Sequence, residues 1–247
     1  MEAKKNAVAT ATMQDYLKAL YKLEKSQSPV PTSALAETLE VSPSAVTAMS
    51  CKLHVASLVR YAAYHGMALT PTGRREALRV LRAHRLVEVM MVRWMGYGWE
   101  DVDDEADRLE HVLSDEFVDR LEVQLGYPRA CPHGDSIPGR DGAVDEPPER
   151  ALALMSPGEV ATIYRVTSHH RELLAHMRET GMLPGARVEV VSVAPFGGPL
   201  AILVDGTPQS ISPTVAQNVF VYAEQPVVMR ETRTVFNSRW PLLTHHV

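Results

Sequence analysis

The sequence has little of what secreted proteins and membrane proteins require. It contains only two cysteines, Cys51 and Cys131, which lie far apart and form no Cys-x-x-Cys pair. This usage is typical of a reducing, cytoplasmic setting. No apolar run approaches the roughly 20 residues that a membrane-spanning helix needs, and no signal-peptide core is present near the first methionine. We therefore expect a cytoplasmic protein with no membrane partner.

Motifs of common enzyme classes are also missing. There is no His-Glu-x-x-His metalloprotease motif, no Gly-rich phosphate loop and no Gly-x-Ser-x-Gly nucleophile elbow. Carboxylates and histidines on helices can still hold a catalytic di-metal centre, so a metal-dependent hydrolase stays open as the alternative function. A basic DNA-binding part would not be needed for hydrolysis, and this favours a protein that is not an enzyme.

Charge is divided unevenly along the 247 residues. Residues 1–82 carry 11 Lys and Arg against 6 Asp and Glu, a net charge of +5. Residues 83–150 carry 7 against 17, a net charge of −10, and the remaining residues carry 7 against 7. A basic first part indicates a polyanion partner, and an acidic middle part indicates a bound cation.

Residues 1–75 have the pattern of a winged helix-turn-helix domain. Helical spacing from Thr12, a second helix from Thr32 and a third from Pro43 to about His54 precede two short strands joined by a turn. The third helix begins with hydroxyl side chains and lies in a basic region, which favours double-stranded DNA as the partner. The candidate DNA contacts are Ser42, Pro43, Ser44, Thr47, Lys52 and Arg60, with Lys4 and Lys5 as further phosphate contacts.

Residues 76–145 are predicted to form a helical domain for metal binding and dimerisation. A long helix from Thr72 to about Trp94 is followed by an acidic helix from Asp101 to near Leu125. The apolar faces of these two helices exceed what one thin domain can bury. This surplus predicts a homodimer.

The last part of the chain changes its periodicity. After a linker rich in proline and glycine, alternating apolar residues in 146–224 predict a small β-barrel with one inserted helix from His169 to Thr180. Asp205-Gly206 predicts a hairpin turn. Residues 225–247 form a tail to which no structure is assigned. The fold class is mainly α with small β parts.

Acidic side chains cluster beside an apolar stripe on the acidic helix. The predicted stripe comprises Val102, Ala106, Leu109, Leu113 and Phe117. The adjacent arc comprises Asp103, Asp107, Glu110 and His111. Acids at the rim of a buried surface repel one another and lose hydration, and a divalent cation relieves both effects. We therefore predict a metal site here, whereas Asp104 and Glu105 are assigned to solvent and the helix dipole.

Other elements offer further ligands. Asp15 lies on the first helix, and His84 and Glu88 lie at i and i+4 on the long helix. Oxygen and imidazole donors suit Mn²⁺ or Fe²⁺, and other divalent transition metals such as Zn²⁺ can substitute. Each residue also has a plainer interpretation, because Asp15 can be an exposed first-turn acid and the other two a hydrogen-bonded pair.

Four segments resemble the diphtheria-toxin-repressor family of metal-dependent transcriptional regulators. They are Leu-Thr-Pro-Thr-Gly at 69–73, Ala-His-Arg-Leu-Val-Glu at 83–88, Asp-Glu-Ala-Asp-Arg-Leu-Glu-His-Val-Leu-Ser-Asp-Glu at 104–116, and Cys-Pro-His-Gly-Asp-Ser-Ile-Pro-Gly at 131–139. The resemblance spans about residues 12 to 222. It implies that the barrel is SH3-like and that a metal-loaded homodimer binds palindromic operator DNA and represses metal-uptake genes.

The resemblance also implies roles for individual residues. The metal ligands would be Asp15, His84, Glu88, Asp107, Glu110 and His111. Asp15 and Asp107 make the chain more similar to the manganese-sensing branch, which gives Mn²⁺ as the expected cofactor and Fe²⁺ as the alternative. Lys18 departs from that branch, which has a further Glu ligand there, and Asp103 replaces a His of the iron branch.

In the iron-sensing branch of this family the barrel domain also donates metal ligands. The matching segment here, residues 167–172, contains His169 and His170, and the sequence does not decide whether His169, His170 or neither of them is a ligand.

Overall fold

A computed structural model of the protein describes residues 9–167 and 170–223. The elements in these ranges are eight α-helices and eight β-strands, arranged in three successive parts. Three predicted features lie outside the described residues. They are the N-terminal arm with Lys4 and Lys5, His169, and the tail 225–247. Across the described ranges, no helix is both long enough and apolar enough to cross a membrane.

The first part is the winged helix-turn-helix that the sequence predicts. Its elements are α1 (Ala11–Glu24), α2 (Thr32–Thr38), α3 (Pro43–Val55), β1 (Val59–Ala62) and β2 (Gly66–Leu69). Leu17, Leu35 and Leu53, one from each helix, are fully buried in a common core. β1 and β2 form an antiparallel hairpin, the wing, and Val30 extends this small sheet by a bridge to Met67.

The wing and α3 are fixed by local backbone conformations. The Ser42 hydroxyl accepts a hydrogen bond from the Ala45 amide and caps the start of α3, where Pro43 fits the first turn. After α3, Ser57 takes the left-handed conformation at φ 61° that glycine usually supplies. Gly66 at φ 87° cannot be replaced without strain, because a Cβ there would lie 2.4 Å from the Val30 carbonyl oxygen.

Helix α4 (Pro71–Met95) joins the first part to the second. At 25 residues it is roughly 37 Å long. Its first half contributes Ala77 and Leu81 to the core of the winged helix, and its second half contributes Leu86 and Met91 to a separate middle core. The two parts therefore share one continuous helix and need no flexible linker.

The acidic segment is not the single helix that the sequence predicts. It consists of a 3₁₀ turn (Trp99–Asp101), α5 (Asp103–Leu109) and α6 (Asp115–Gln124). The break occurs because the Ser114 hydroxyl accepts a hydrogen bond from the Phe117 amide and starts a new helix. The prediction of one continuous stripe was wrong, and Phe117 is 45% exposed.

The third part is a six-stranded antiparallel sheet with two short helices. Its elements are β3 (Arg150–Ala151), β4 (Val160–Val166), α7 (Arg171–Glu179), β5 (Arg187–Val193), β6 (Leu200–Val204), β7 (Thr207–Ile211), α8 (Pro213–Gln217) and β8 (Val219–Ala223). The strand order is β3-β8-β4-β5-β6-β7, so β3 and β7 are edges and the described strands form no closed barrel. Asp205 and Gly206, both at positive φ, make the predicted hairpin turn between β6 and β7.

Two contacts fix the third part to the middle one. The Trp99 indole is buried in the core of the third part and donates a hydrogen bond to the Leu174 carbonyl oxygen at 3.0 Å. The loop between α6 and β3 lies against β4, because the Val166 amide donates to the His133 carbonyl oxygen at 2.9 Å. A side chain at position 134 would clash with the Tyr164 carbonyl oxygen at 2.1 Å, so only glycine allows this approach.

Candidate metal centre

The first group of candidate ligands joins α1 to the turn after α5. His111 Nε2 lies 2.9 Å from Asp15 Oδ1 and 3.4 Å from Glu110 Oε1. Ligand atoms of these three residues all lie within 4.8 Å of one another. Asp15 belongs to the DNA-binding part and the other two to the middle part, so the group bridges two structural units.

Gln14 sets which nitrogen of His111 faces the carboxylates. The Gln14 amide nitrogen donates to Glu76 Oε1 at 2.8 Å, which leaves the amide oxygen facing His111 Nδ1 at 2.7 Å. Because that oxygen can only accept, Nδ1 carries a proton and Nε2 is left towards Asp15 and Glu110. An imidazole nitrogen aimed at two carboxylates is the arrangement that a bound cation stabilises. No sequence pattern indicates this role for Gln14, which is 2% exposed.

A second group surrounds His84 on α4. His84 Nδ1 lies 2.6 Å from Glu110 Oε2 and 3.2 Å from Asp107 Oδ1. On the other side of the ring, Nε2 lies 3.3 Å from Asp103 Oδ1 and 3.6 Å from Glu88 Oε1. Glu110 is thus shared, with one oxygen towards the first group and the other towards His84.

A third group is completed by two residues that sequence reasoning missed as ligands. His133 Nδ1 lies 3.0 Å from Glu88 Oε1, and the Cys131 thiol reaches the same cluster. His133 Nε2 faces the Trp99 carbonyl oxygen at 2.8 Å, so it donates there and Nδ1 is the nitrogen available to a metal. The structure thus adds Cys131, a residue type that the predicted ligand set does not contain, to the candidate ligands. The Cys-x-His spacing in segment 131–139 was the available signal.

Burial and charge shift the pKa values of these groups in opposite directions. Burial alone would lower the pKa of His84, but Glu88, Asp103, Asp107 and Glu110 outweigh it and raise that pKa well above 6.5. Burial would raise the pKa of Glu88, but His84 and His133 hold it well below its usual range. The centre therefore contains ionised carboxylates balanced by protonated imidazole.

The Cys131 thiol is the exception. Burial, followed by the charge of Glu88, raises its pKa well above 9.0, so the thiol keeps its proton at neutral pH. A metal ion that binds this sulfur displaces the proton.

Lys18 places a positive charge between the carboxylates of Asp107 and Glu110. Its Nζ lies 2.5 Å from Asp107 Oδ1 and 2.7 Å from Glu110 Oε1. Burial would lower the pKa of Lys18, but the two carboxylates outweigh it and raise the pKa above its usual value. Burial would raise the pKa of Asp107, but the hydrogen bond from His84 and the charge and hydrogen bond of Lys18 lower it to about 2.

The donor set fits divalent metal ions. Carboxylate and imidazole donors from separate elements converge within 4.8 Å in four overlapping clusters among the described residues. Glu88 and Glu110 are fully buried ionisable groups, and such groups require a charged partner. The first two groups offer hard oxygens and nitrogen, whereas the third adds a softer thiol.

Not every predicted ligand joins these clusters. Within residues 9–167 and 170–223, the clusters that could hold an ion do not include His170, which is exposed at the start of α7. His169 lies outside the described residues. Asp103 does join, through His84 and Glu88, while Glu105 pairs with Arg108 on the helix surface.

All six predicted DNA contacts are exposed. They are Ser42, Pro43, Ser44, Thr47 and Lys52 on and before α3, and Arg60 on β1. The Ser42 and Ser44 hydroxyls lie 2.9 Å apart, and the Thr47 hydroxyl donates to the Pro43 carbonyl oxygen at 3.0 Å. These local bonds hold the hydroxyls at the start of α3, where a recognition helix meets base edges.

Three family models cover most of the chain. Residues 9–67 match the "Iron dependent repressor, N-terminal DNA binding domain", and residues 70–139 match the "Iron dependent repressor, metal binding and dimerisation domain". Residues 150–223 match the FeoA domain.

Characterised relatives extend along most of the chain. The iron-dependent repressor IdeR of Mycobacterium tuberculosis is 32% identical over 207 residues, which are 79% of this chain and 89% of the relative. The diphtheria toxin repressor of Corynebacterium glutamicum is 31% identical over 192 residues, which are 73% of this chain and 84% of the relative.

Solved structures of manganese-dependent repressors resemble the fold closely. One, a manganese-dependent transcriptional repressor in complex with manganese, has a TM-score of 0.80 and 35% identity, and covers 85% of this chain and 99% of its own. ScaR with bound Zn²⁺ has a TM-score of 0.73 and 32% identity, with the same coverage of each chain.

These relatives are transcriptional repressors, so the hydrolase alternative has no support among them. The predicted fold class is confirmed: a winged helix-turn-helix, a helical middle part and a C-terminal SH3-like domain, although its described sheet is open. The chain belongs to the diphtheria-toxin-repressor family of metal-dependent transcriptional repressors.

Proposed function

We propose that this repressor is activated by Mn²⁺, with Fe²⁺ as the alternative, and then binds palindromic operator DNA as a homodimer to repress metal-uptake genes. One observation carries the proposal. Asp15 on α1 lies against His111 and near Glu110 of the middle part, so a shared ion would link the DNA-binding part to the dimerisation part. A repressor that reaches operator DNA in this way would act in the cytoplasm.

Two ions per chain fit the groups best. Asp15, Glu110 and His111 would hold the regulatory ion, with Asp107 beside it. Glu88, Cys131 and His133 would hold the other, with His84 and Asp103 adjoining. The ligand from the C-terminal domain, His169 or His170, remains a prediction.

The donor types support manganese in the regulatory position. Asp15 and Glu110 offer hard oxygens beside the His111 imidazole, and no sulfur ligand belongs to that group. Relatives named for iron and for manganese both occur, and ScaR binds Zn²⁺ and Cd²⁺ in solved structures. Anaerobic calorimetry with competing Mn²⁺, Fe²⁺ and Zn²⁺ would identify the preferred ion.

Dimerisation would use the apolar side chains left exposed on the middle part. They are Trp94, Met95, Val112, Phe117 and Val123, all between 45% and 76% exposed. Exposed apolar surface of this extent on one helical unit is typical of an interface. We propose that residues 1–75, 76–145 and 146–224 act as DNA-binding, dimerisation and SH3-like domains.

The mechanism is a linkage between metal and DNA. The bound regulatory ion would fix the position of α1, and hence of α3, relative to the dimer. Two α3 helices at a fixed distance fit half-sites in successive major grooves. By reciprocity, DNA tightens metal binding by the same factor. Lys52 and Arg60 add phosphate contacts that weaken with salt.

Fluorescence anisotropy with a palindromic duplex tests the proposal. We expect Mn²⁺ to raise the affinity of the native protein for DNA about 5- to 150-fold over a chelator. Asp15→Ala should lose this gain and keep the weak metal-free affinity. Asp104→Ala is the matched control, because this acid is exposed on α5 and joins no ligand cluster among the described residues. Equal affinity with Mn²⁺ and with chelator would refute activation by metal.

A further inference from the structure

Lys18 is placed inside the metal centre and not on its surface. It lies one helical turn after Asp15 on α1, and its side chain is 12% exposed. Its ammonium contacts Asp107 at 2.5 Å and Glu110 at 2.7 Å, and the Glu110 side chain is completely buried. An ordinary exposed lysine on this helix would extend into water, as Lys22 does.

The two carboxylates that Lys18 joins could otherwise hold a metal ion. Asp107 and Glu110 form a ligand cluster with His84, with all ligand atoms within 4.8 Å. Glu110 uses its Oε2 for His84, so its Oε1 is the atom shared between Lys18 and the group with His111. A divalent ion between Asp107 and Glu110 would lie next to the Lys18 ammonium. Like charges that lie this close together repel strongly where water is largely excluded.

Lys18 is tethered to α1, so its ammonium stays beside the two carboxylates at any concentration of free ion. The pair with Glu110 is buried, and removing the ammonium would leave the Glu110 charge uncompensated. The pair with Asp107 contributes less, because the Asp107 side chain is 50% exposed.

We propose that the Lys18 ammonium is a resident cation of the centre that closes the Asp107–Glu110 pair to a divalent ion. The group of Asp15, Glu110 and His111 then takes a single ion and cannot become part of a two-metal cluster. The inference rests on the proposed function, because it presumes that this group binds metal.

Metal stoichiometry tests the inference directly. Lys18→Met keeps most of the side-chain volume and removes the charge, whereas Lys22→Met makes the same change one turn later at an exposed position. In equilibrium dialysis against Mn²⁺ followed by elemental analysis, Lys18→Met should bind one more ion per chain than the native protein. Lys22→Met should bind the native number. An unchanged or smaller number in a folded Lys18→Met protein overturns the inference.

Electron paramagnetic resonance of the native protein gives a second test that needs no variant. Two Mn²⁺ ions sharing carboxylate ligands, about 4 Å apart, would be magnetically coupled. We expect the Mn²⁺-saturated native protein to show only uncoupled ions, and Lys18→Glu, which adds a carboxylate, to show a coupled pair. A coupled pair in the native protein overturns the inference even if both variants fail to fold.

The outcomes also separate this inference from the proposed function. If the native protein binds no Mn²⁺, the proposed function fails and the inference fails with it. If the native protein binds Mn²⁺ and responds on DNA, but charge removal at Lys18 leaves the stoichiometry unchanged, only the inference fails.

Discussion

The groups around Glu110 and around Glu88 contain similar residues in different surroundings. The Glu110 group draws Asp15 from the DNA-binding part and is open enough that the Asp107 side chain is 50% exposed. The Glu88 group is buried throughout and takes its other members, Cys131 and His133, from the loop between α6 and β3. An ion in the first group would join α1 to the middle part, whereas an ion in the second would lie wholly within the middle part.

The largest effect is expected at Glu110, the residue shared between clusters. Glu110→Gln removes a buried negative charge that faces His84, His111 and Lys18. We expect at least about a 100-fold loss of Mn²⁺ affinity, beyond the 10- to 100-fold that removal of an outer partner costs. Calorimetry measures the loss, and Glu105→Gln on the surface of α5 is the control. A loss of Mn²⁺ affinity of about tenfold or less would contradict the assignment of Glu110 as the ligand shared between clusters.

Cys131→Ser separates the two groups. The change keeps the shape of the side chain and removes the thiolate donor, so we expect one bound ion fewer per chain. At saturating Mn²⁺ the DNA response should remain, because Asp15, Glu110 and His111 are untouched. Dialysis and anisotropy on the same samples measure both quantities.

Cys51→Ser is the matched control for the metal count, since Cys51 is exposed on α3. Loss of the DNA response together with the ion in Cys131→Ser would show that the two groups do not have separate roles.

Acid should weaken metal binding at the Glu88 group. The raised pKa of His84 means that the metal-free protein holds a proton there at neutral pH, and the raised pKa of Cys131 means that its thiol does too. An ion that binds this group through Cys131 or His84 must displace that proton, so its affinity falls as pH falls, by about tenfold per pH unit for each displaced proton. Calorimetry in buffers of different ionisation enthalpy counts the protons. Affinity that is constant from pH 8 to pH 6 would contradict this assignment.

The smallest effect is expected at Gln14. Gln14→Leu removes the acceptor that holds His111 Nδ1 and leaves every ligand in place. We expect about a tenfold loss of Mn²⁺ affinity, the lower end of what such orienting partners contribute. Gln27→Leu, at an exposed position, is the control. An unaltered affinity would mean that packing alone orients His111.

Local sequence patterns predict much of the secondary structure. Helical spacing located the winged helix, and Asp205-Gly206 located a hairpin turn, because both depend on neighbours in sequence. The break at Ser114 was missed because the periodicity of apolar residues continues across it, although Ser-Asp-Glu is itself a helix-start pattern. A capping hydroxyl can override periodicity at one position.

The sequence predicts the candidate site only in part, because its residues come together from distant parts of the chain. Asp15, His84, Glu110 and His111 were identified by type and by resemblance, and the structure brings them together. The contact between Glu88 and His133 joins α4 to a loop about 45 positions later, and no local rule predicts which way such a loop folds. The inward direction of Lys18 is likewise set by partners about 90 positions away.

The continuity of α4 has a consequence for operator choice. One end of this helix is packed in the DNA-binding core and the other in the middle core. The number of residues in α4 therefore sets the distance between the two cores. Adding or removing a single residue between Leu81 and Leu86 would turn one core against the other by about 100° and shift it by about 1.5 Å. In the proposed dimer, the length of α4 would set the distance between half-sites, and a change in operator spacing would require the gain or loss of whole helical turns.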